Sequence, residues 1–366
     1  MQTVAMLLIG DIRMDGRVQK EILTLRSCGF RVTLIQWPYS GRSGAHEYLG
    51  IEVIDYPHNL HRSAAVNFLR QILFNFFALH HLKRLSPDFL QCNDLRTLLA
   101  GFLFRRRARV IYDAHELFPE MYEGARKLVW SVLERMMVSA CHAYIQPEKN
   151  RLAYFSAKYR IDPARIALVE NFPSGHYAFS GRSRLREYFD LAPEKIILLC
   201  TGVLGPERGI ENMISCMAFL DARFVLVLLG PTFKGYEKDL ASRINEAKAE
   251  DHVKIHPAIP NVEMLDYINS SDIGLVFYQN TNLNNYWCAS NKLYEFILCG
   301  KPVITNDYPG LREVVENNQL GICLSDTSPE ALAAAVCRIR DDWTIPGGAS
   351  PYVWEQQEAT YLRIFE

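Results

Sequence analysis

The stretch of residues 289–310, ASNKLYEFILCGKPVITNDYPG, decides the fold. It predicts a helix over 291–299 that ends at a Gly-Lys-Pro turn and runs into a buried strand over 303–306. Ser290 or Asn291 can cap this helix, because a short polar side chain accepts a hydrogen bond from the free N–H groups of the first turn. A helix, a tight turn and an apolar strand in this order are typical of a parallel α/β sheet.

The beginning of this helix also has the chemistry of an anion site. Free N–H groups and the positive end of the helix dipole lie there, and Lys292 adds a full positive charge. Glu295 follows one turn later, where its carboxylate can accept hydrogen bonds from two neighbouring hydroxyl groups. A nucleoside diphosphate fits this pattern, with its diphosphate on Asn291 and Lys292 and its ribose on Glu295. The alternative is an ordinary capped amphipathic helix with Leu293 and Phe296 facing inward.

Composition is that of a globular protein. The 366 residues are 49% hydrophobic and 22% charged, which predicts two domains of about 150–180 residues each. The net charge of −1 gives no overall attraction to nucleic acid. The nine cysteines form no C-x-x-C pair and lack metal-ligand spacing, so we expect reduced thiols in a cytoplasmic protein. The sequence has no signal-peptide pattern, and charged or polar residues interrupt its longest apolar runs, so no membrane span is predicted.

The first half begins with a strand, a helix and a second strand, predicted over 4–10, 17–28 and 31–37. The loop 10–16, GDIRMDG, follows the carboxyl end of the first strand, where open α/β sheets bind ligands. The charged residues in and just after this loop are Asp11, Arg13, Asp15 and Arg17. They face either the crevice at that sheet edge or solvent, and each one alone is better interpreted as a solvated loop charge.

Two basic and apolar segments indicate a possible contact with a membrane. A long helix predicted over 64–84 is apolar and aromatic with basic residues at its end, and the run RRRAR follows at 105–109. Basic residues beside apolar ones favour anionic lipid headgroups. The alternative has equal weight: a core helix whose cations suit its C-terminus, and a solvated helix end at 105–109.

His115 comes directly after a strand predicted over 110–113, within the motif DAHELFPE. A side chain at this place points into the crevice at the carboxyl edge of the sheet, where an imidazole can donate or accept a proton near neutral pH. The alternative is a structural histidine that is bonded to neighbouring backbone groups.

The second half restarts the pattern after a turn-rich linker at 171–175. A strand over 195–202 opens onto a loop with three residues that favour turns, and a helix follows over 210–220. Arg208 sits at the start of that helix, so it can reach the same anion as Lys292. The other predicted strands are 51–56, 89–93, 143–146, 166–170, 224–230, 253–256, 273–277 and 321–324, and the other helices are 239–250, 263–269, 329–338 and 351–366.

Five motifs together resemble a known family over nearly the whole chain. They are DGRV at 15–18, YDAHELFPE at 112–120, NFP at 171–173, GVLGPERG at 202–209 and the series NKLYEF, GKPVI and PGLREVV within 291–315. The chain resembles the glycosyltransferases of group 1, also called family 4. The resemblance implies the GT-B fold, with two Rossmann-like α/β domains facing across a cleft. It implies an acceptor-binding domain over 1–172, a nucleotide-sugar-binding domain over 180–350, and a last helix over 352–366 that crosses back to the first domain.

The same resemblance assigns candidate site residues. Arg208 and Lys292 would hold the diphosphate and Glu295 the ribose, and His115 matches the family histidine beside the reaction centre. His115, Arg208 and Lys292 are therefore the candidate catalytic residues. The further candidates are Gly205, Ser290 and Asn291 on the donor side, and Gly10, Asp11 and Asp15 in the loop that closes near the acceptor.

Two positions depart from the family pattern. Trp287 stands where the family has the first glutamate of its Glu-x7-Glu motif, which contacts the donor sugar. Val203 stands where many relatives have an arginine, so one cation of the diphosphate site is missing. Arg312 is a possible substitute, although a surface helix residue is the better interpretation.

The implied activity is that of a retaining glycosyltransferase that needs no metal or other cofactor. It would move a sugar from a nucleoside-diphosphate sugar to a lipid-linked or polysaccharide acceptor. The expected partners are the nucleotide sugar, that acceptor and the cytoplasmic face of the inner membrane, and not nucleic acid. The alternatives are a nucleotide-sugar-binding protein of the same fold with weak or no catalysis, and a nucleotide-sugar epimerase.

Overall fold

The computed structural model describes residues 1–41, 43–61, 63–342 and 351–366. In these ranges the strands are β1 (Thr3–Leu8), β2 (Arg31–Gln36), β3 (Gly44–Tyr48), β4 (Ile51–Asp55), β5 (Phe89–Asn93), β6 (Arg109–Asp113), β7 (Ala143–Gln146), β8 (Ile166–Leu168), β9 (Ile196–Thr201), β10 (Phe224–Leu229), β11 (Val253–His256), β12 (Ile273–Val276), β13 (Val303–Asn306) and β14 (Gly321–Leu324). The α-helices are α1 (Gly16–Ser27), α2 (Ala64–Leu85), α3 (Leu98–Phe104), α4 (Gly124–Val138), α5 (Lys149–Tyr159), α6 (Arg184–Phe189), α7 (Ile210–Cys216), α8 (Tyr236–Glu246), α9 (Met264–Asn269), α10 (Leu283–Tyr286), α11 (Asn291–Leu298), α12 (Pro309–Val315), α13 (Pro329–Asp342) and α14 (Glu358–Leu362).

These elements form two compact units. Unit 1 consists of Met1–Glu170, Asn282–Asn284 and Gln357–Glu366, and unit 2 consists of Asn171–Thr281 and Asn285–Gln356. Each unit has its own sheet and its own hydrophobic core.

The described part of unit 1 is built on an eight-stranded sheet in the order β3-β4-β2-β1-β5-β6-β7-β8. Neighbouring strands are parallel except at the edge, where β3 runs antiparallel to β4. β1 and β5 are buried along almost their whole length, as expected for parallel strands covered on both faces. Because the strands are parallel, the carboxyl ends of β2, β1, β5 and β6 lie side by side at one edge of the sheet.

The described part of unit 2 has a six-stranded, fully parallel sheet in the order β11-β10-β9-β12-β13-β14. From β9 the chain builds the sheet outward through β10 and β11, and then from β12 in the opposite direction. The carboxyl ends of β9 and β12 therefore form a topological switch point, the place where open α/β sheets bind ligands.

The predicted α/β class is confirmed, and the predicted bounds of β5, β7, β11, β13 and β14 are those of the structure. These strands were predictable because each is a short apolar run between turn residues. The predicted helix 210–220 is too long, since α7 ends at Cys216 and a 3-10 turn, Met217–Phe219, follows.

Several elements were missed. They are β3, α4, α5, α6 and α10. β3 is a short and mostly exposed edge strand, so its sequence has no apolar alternation. In α4, large apolar residues lie on the exposed face, among them Leu128, Val132 and Met136. The usual rule that apolar residues mark the buried side of a helix therefore fails in α4.

The C-terminal segment is not the single helix predicted over 351–366. It consists of a 3-10 turn, Trp354–Gln356, then α14, and then a second 3-10 turn, Arg363–Phe365. Tyr361 is fully buried in unit 1, and the Phe365 ring packs 5.3 Å from the ring of Phe89. The last ten residues thus complete the core of unit 1.

Helix α11 packs closely against the sheet of unit 2 at Gly274 of β12. A Cβ atom on Gly274 would lie 2.6 Å from Cγ of the buried Phe296 ring. Only glycine at this position allows the helix to lie so near the strand.

We expect Gly274→Ala to destabilise the protein by about 1–3 kcal/mol, because the added methyl group must displace a buried ring. Urea unfolding measures this change. The matched control is Gly10→Ala, where the nearest side-chain atoms lie 3.7 Å from the new Cβ and the effect should be small. Equal stability of the two variants would contradict the close packing of α11.

Candidate functional site

Helix α11 of unit 2 begins at a buried serine. Ser290 is its N-cap, and its Oγ accepts a hydrogen bond from the backbone N–H of Leu293 at 3.2 Å. The hydroxyl of Tyr278 donates a hydrogen bond to the same oxygen at 2.9 Å. Of the two predicted caps, Ser290 therefore fills this role, and Asn291 is the exposed first residue of the helix.

Lys292 lies against the loop that follows β9. A Cβ atom on Gly202 would be 2.7 Å from Cε of Lys292, and the φ angle of Gly202 is +109°. A side chain at residue 202 would be strained in this conformation and would collide with the lysine. Glycine at this position therefore gives Lys292 its path across the carboxyl end of β9.

Arg208 reaches the same end of β9. Its guanidinium carbon lies 4.5 Å from the centroid of the Tyr278 ring, which is a cation–π contact. Burial raises the pKa of the Cys200 thiol to about 11, and the positive charges of Arg208 and Lys292 both act against this rise. Because the hydroxyl of Tyr278 also bonds to the cap of α11, this tyrosine links Arg208 to the helix that carries Lys292.

The other predicted donor residues belong to the same unit. Glu295 is half-buried on α11, one helical turn after Asn291. Gly205 is buried in the loop between β9 and α7, where an added Cβ would meet Cβ of Phe233 at 3.3 Å. These positions are compatible with the predicted contacts to a diphosphate and a ribose, and the contacts themselves stay predictions.

Both departures from the family pattern lie in unit 2. Trp287 is partly exposed, with its ring 6.3 Å from that of Tyr286, and Val203 is 48% exposed. Arg312 forms an ion pair with Asp307 on the surface of unit 2. This pairing favours the interpretation of Arg312 as a surface residue.

In unit 1 the motifs DGRV and YDAHELFPE meet in a buried ion pair. Arg17 donates hydrogen bonds to both carboxylate oxygens of Asp113, at 3.1 and 3.0 Å. It also donates to the carbonyl oxygen of Val169 at 2.8 Å. The side chains of Arg17 and Asp113 are 6% and 0% exposed. The prediction that Arg17 is a solvated charge is therefore wrong, because its position in the first turn of α1 directs it into the core.

His115 shares the carboxylate of Asp113. Its Nε2 lies 3.1 Å from Oδ2 of Asp113, and its side chain is 18% exposed. Burial alone would lower the pKa of His115, but the charges of Asp113 and Asp94 outweigh burial and raise this pKa to about 10. The imidazole is therefore a cation at neutral pH. Two carboxylates thus favour the protonated imidazole, and a role of His115 in proton transfer stays a prediction.

Further polar groups extend this cluster toward the C-terminal segment. Burial and the nearby Asp113 raise the pKa of Glu21 well above its ordinary value. Nε2 of Gln91 donates a hydrogen bond to Glu21 at 2.7 Å, and the hydroxyl of Tyr361 donates to Oε1 of Gln91 at 2.8 Å.

The loop 10–16 lies at the carboxyl end of β1. Asp11 caps a 3-10 turn, Ile12–Met14, and pairs with Arg13. Asp15 caps α1 by accepting a hydrogen bond from the backbone N–H of Val18 at 3.1 Å. Gly10 precedes these turns and is partly exposed. Both acids thus have structural partners, and a contact of this loop with an acceptor stays a prediction.

Sequence reasoning missed Tyr278 and the partnership of Arg17 with Asp113. Tyr278 follows β12 at the switch point, and an aromatic residue at that place is a usable signal once the strand order is known. Arg17 and Asp113 are 96 positions apart, and neither motif alone indicates that they form a pair.

Neither a metal site nor a membrane-spanning helix is found in the part of the chain that the structure describes. In those ranges, no group of three or more His, Cys, Asp or Glu side chains is arranged to hold a metal ion. In the same ranges, no helix is long and apolar enough to cross a membrane.

Two known family patterns match the sequence, one in each half of the chain. The pattern of the family described as "Glycosyl transferases group 1" matches residues 182–346, and that of "Glycosyltransferase Family 4" matches residues 20–172. The chain is a group 1 glycosyltransferase with the GT-B fold. Together the two patterns cover most of both units of this glycosyltransferase.

Individual relatives are distant. A D-inositol 3-phosphate glycosyltransferase from Thermobispora bispora is 23% identical over 195 residues, which are 50% of this chain and 44% of that protein. The glycosyltransferase thus spans about half the length of the curated relatives it matches.

Solved structures share its fold. Anabaena HepE in complex with UDP and glucose has a TM-score of 0.73 at 15% identity, covering 100% of this chain and 96% of that one. WaaG, a glycosyltransferase involved in lipopolysaccharide biosynthesis, has a TM-score of 0.69 at 15% identity, covering 99% and 95%.

The charged state of His115 can be tested through pH-dependent stability. Its pKa in the folded glycosyltransferase, about 10, lies above the ordinary value of 6.5. The stabilisation from the protonated imidazole is therefore fully present below about pH 6.5 and is lost as the pH rises toward 10. We expect the difference in free energy of unfolding between the wild type and His115→Gln to shrink over this range. A constant difference, measured by urea unfolding from pH 6 to 10, would contradict the ion pair with Asp113.

Proposed function

We propose that the protein is a retaining glycosyltransferase that moves a sugar from a nucleoside-diphosphate sugar to a lipid-linked or polysaccharide acceptor. The observation that carries this proposal is that Tyr278 contacts both Arg208 and the cap of α11, while Lys292 of α11 lies against Gly202 at the carboxyl end of β9. Two cations and free N–H groups at one switch point suit a diphosphate.

In this proposal the unit 2 residues bind the donor and stabilise its leaving group. Negative charge develops on the diphosphate as its bond to the sugar breaks, and Arg208 and Lys292 are held in place to meet it. Tyr278 holds Arg208 and the beginning of α11 in place. Its ring stacks on Arg208, and its hydroxyl donates a hydrogen bond to Ser290, the cap of α11. Glu295 would accept the ribose hydroxyls. The complex of HepE with UDP and glucose supports this donor class by likeness of fold.

His115 then acts as a fixed cation. Because Asp113 and Asp94 keep the imidazole protonated, it can donate hydrogen bonds to sugar hydroxyls or to developing negative charge. It would not serve as a general base at neutral pH. Arg151 holds the backbone of this residue by donating to its carbonyl oxygen at 2.9 Å.

The proposal includes peripheral contact with an anionic membrane through α2. Large apolar side chains lie exposed along this helix, and they are Phe68, Leu69, Leu73 and Phe76. Lys83 and Arg84 lie exposed at its end, and the exposed arginines at 105–107 follow α3, which packs against α2. An apolar face bordered by cations is what an anionic bilayer surface attracts.

A second candidate function is nucleotide-sugar binding without efficient transfer. Trp287 and Val203 favour it, because they replace a sugar-contacting glutamate and a diphosphate-binding arginine in the family pattern. This candidate predicts binding of the donor with no product.

We expect Lys292→Ala to lower kcat for sugar transfer by about 10²–10³-fold, because one stabilising charge is lost at the leaving group. Glu295→Ala should abolish thermal stabilisation by the preferred nucleoside diphosphate in a panel of nucleotides and nucleotide sugars. Lys238→Ala on the exposed face of α8 is the matched control. Undiminished transfer by both site variants would refute the proposed donor site, and donor binding without transfer by the wild type would favour the second function.

Membrane contact is measured by flotation with phosphatidylcholine vesicles that either contain or lack phosphatidylglycerol. We expect binding to the anionic vesicles, and we expect Leu73→Glu with Phe76→Glu to reduce it by about tenfold or more, since two apolar side chains lose their burial. Leu23→Glu places the same change on exposed α1 and should have little effect. Equal flotation of all three proteins would rule out the α2 face.

A further inference from the structure

Unit 1 contains a cavity of about 650 Å³ that none of the predicted site residues lines. This volume is in the range of binding sites for small organic molecules, about 300–1,000 Å³. Aromatic side chains form much of its wall, and they are Trp37, Tyr39, Phe68, Phe118, Tyr122 and Trp130. We call it the aromatic cavity.

The aromatic cavity lies at the same sheet edge as His115. Trp37 is the first residue after β2, Arg96 the third after β5, and Phe118 the fifth after β6. The loops after β5 and β6 are joined, since the backbone N–H of Glu116 donates to Asp94 at 3.3 Å. The cavity thus lies at the ligand-binding edge of the unit that the family resemblance assigns to the acceptor.

Charge in the cavity is of one sign. Arg96 and Arg126 line it, and among the described lining residues none is acidic. Arg96 donates a hydrogen bond to the hydroxyl of Tyr39 at 3.1 Å, and its guanidinium carbon lies 5.9 Å from the Phe118 ring. Its Nε is buried and has no hydrogen-bond partner within the described part of the chain. A planar guanidinium with a spare buried donor suits a phosphate group.

The rim of the aromatic cavity continues into apolar surface. Phe68 of α2 and Trp130 of α4 meet at 5.9 Å between ring centroids, and Phe68 and Val129 are exposed lining residues. Beyond them, α2 exposes Leu73 and α4 exposes Val132. A molecule with its phosphate beside Arg96 would therefore find an apolar path leaving the cavity.

We propose that the aromatic cavity binds the phosphate-bearing headgroup of an anionic lipid, and that this lipid is the acceptor. Arg96 and Arg126 would hold the phosphate, the aromatic walls would pack on the atoms next to it, and the apolar tail would leave along α2 and α4. That this lipid is the acceptor rests on the proposed function. Binding of the lipid in the cavity does not depend on sugar transfer. The proposal favours a lipid-linked acceptor over a polysaccharide, because a polysaccharide would not account for the arginine pair or the apolar path.

The test measures binding by isothermal titration calorimetry without any nucleotide sugar. The probes are n-octyl phosphate and n-octyl glucoside, each below its micelle concentration, and inorganic phosphate. We expect n-octyl phosphate to bind more tightly than either of the others. We expect Arg96→Gln to weaken this binding by about tenfold to a hundredfold, since charge-assisted hydrogen bonds are lost. Arg31→Gln, an exposed arginine at the opposite end of β2, is the matched control and should bind normally.

Three results would overturn the proposal. Equal binding of n-octyl glucoside would show a cavity without charge selection, and equal binding of inorganic phosphate would show a site for the free anion. Unchanged affinity in Arg96→Gln and in Arg126→Gln would place binding elsewhere. Because Arg126 is exposed, its variant decides the question even if Arg96→Gln fails to fold, which a thermal melt would reveal.

A transfer assay separates this inference from the proposed function. If n-octyl phosphate binds through Arg96 and no sugar donor yields product, the cavity assignment stands and the transferase proposal fails. If sugar is transferred to a lipid acceptor at the same rate by wild type and Arg96→Gln, the transferase proposal stands and the cavity assignment fails.

Discussion

The buried ion pair between Arg17 and Asp113 is the interaction on which unit 1 depends. It joins the first helix to the strand that carries His115, and both partners are almost completely removed from water. Breaking such a pair by removing one partner leaves an uncompensated buried charge, which costs about 3–5 kcal/mol. Asp113 also sets the charge of His115, so the same carboxylate that holds the core together determines what the candidate site can do.

Charge in the cluster is distributed by burial. Glu21 lies beside Asp113, and burial together with the charge of that carboxylate raises the pKa of Glu21. Asp113 keeps its negative charge, since Arg17 and His115 bond to it and lower its pKa against the effect of burial. Asp113 is thus held between Arg17 and His115 at this edge of the sheet. In unit 2, Arg208 and Lys292 supply the positive charges near the end of β9.

Sequence patterns predicted what depends on neighbours along the chain. Short strand patterns indicated five strands with their bounds, and the motif around Lys292 indicated the helix, a cap at Ser290 or Asn291, and the basic residue beside it. Contacts between distant segments were out of reach, as the pair of Arg17 and Asp113 illustrates. The aromatic cavity was missed for the same reason, since its wall comes from loops after four strands and from two helices. Helix α4 was missed because its apolar residues face outward.

The buried position of Tyr361 has a consequence for synthesis of the chain. All strands of unit 1 precede residue 170, and yet the hydroxyl that bonds to Gln91 in its core arrives after unit 2 has been translated. During translation, unit 1 therefore leaves the ribosome with a gap between α1 and β5. Residues 357–366 fill this gap later. Chains that stop before residue 357 should expose this gap to proteases and chaperones.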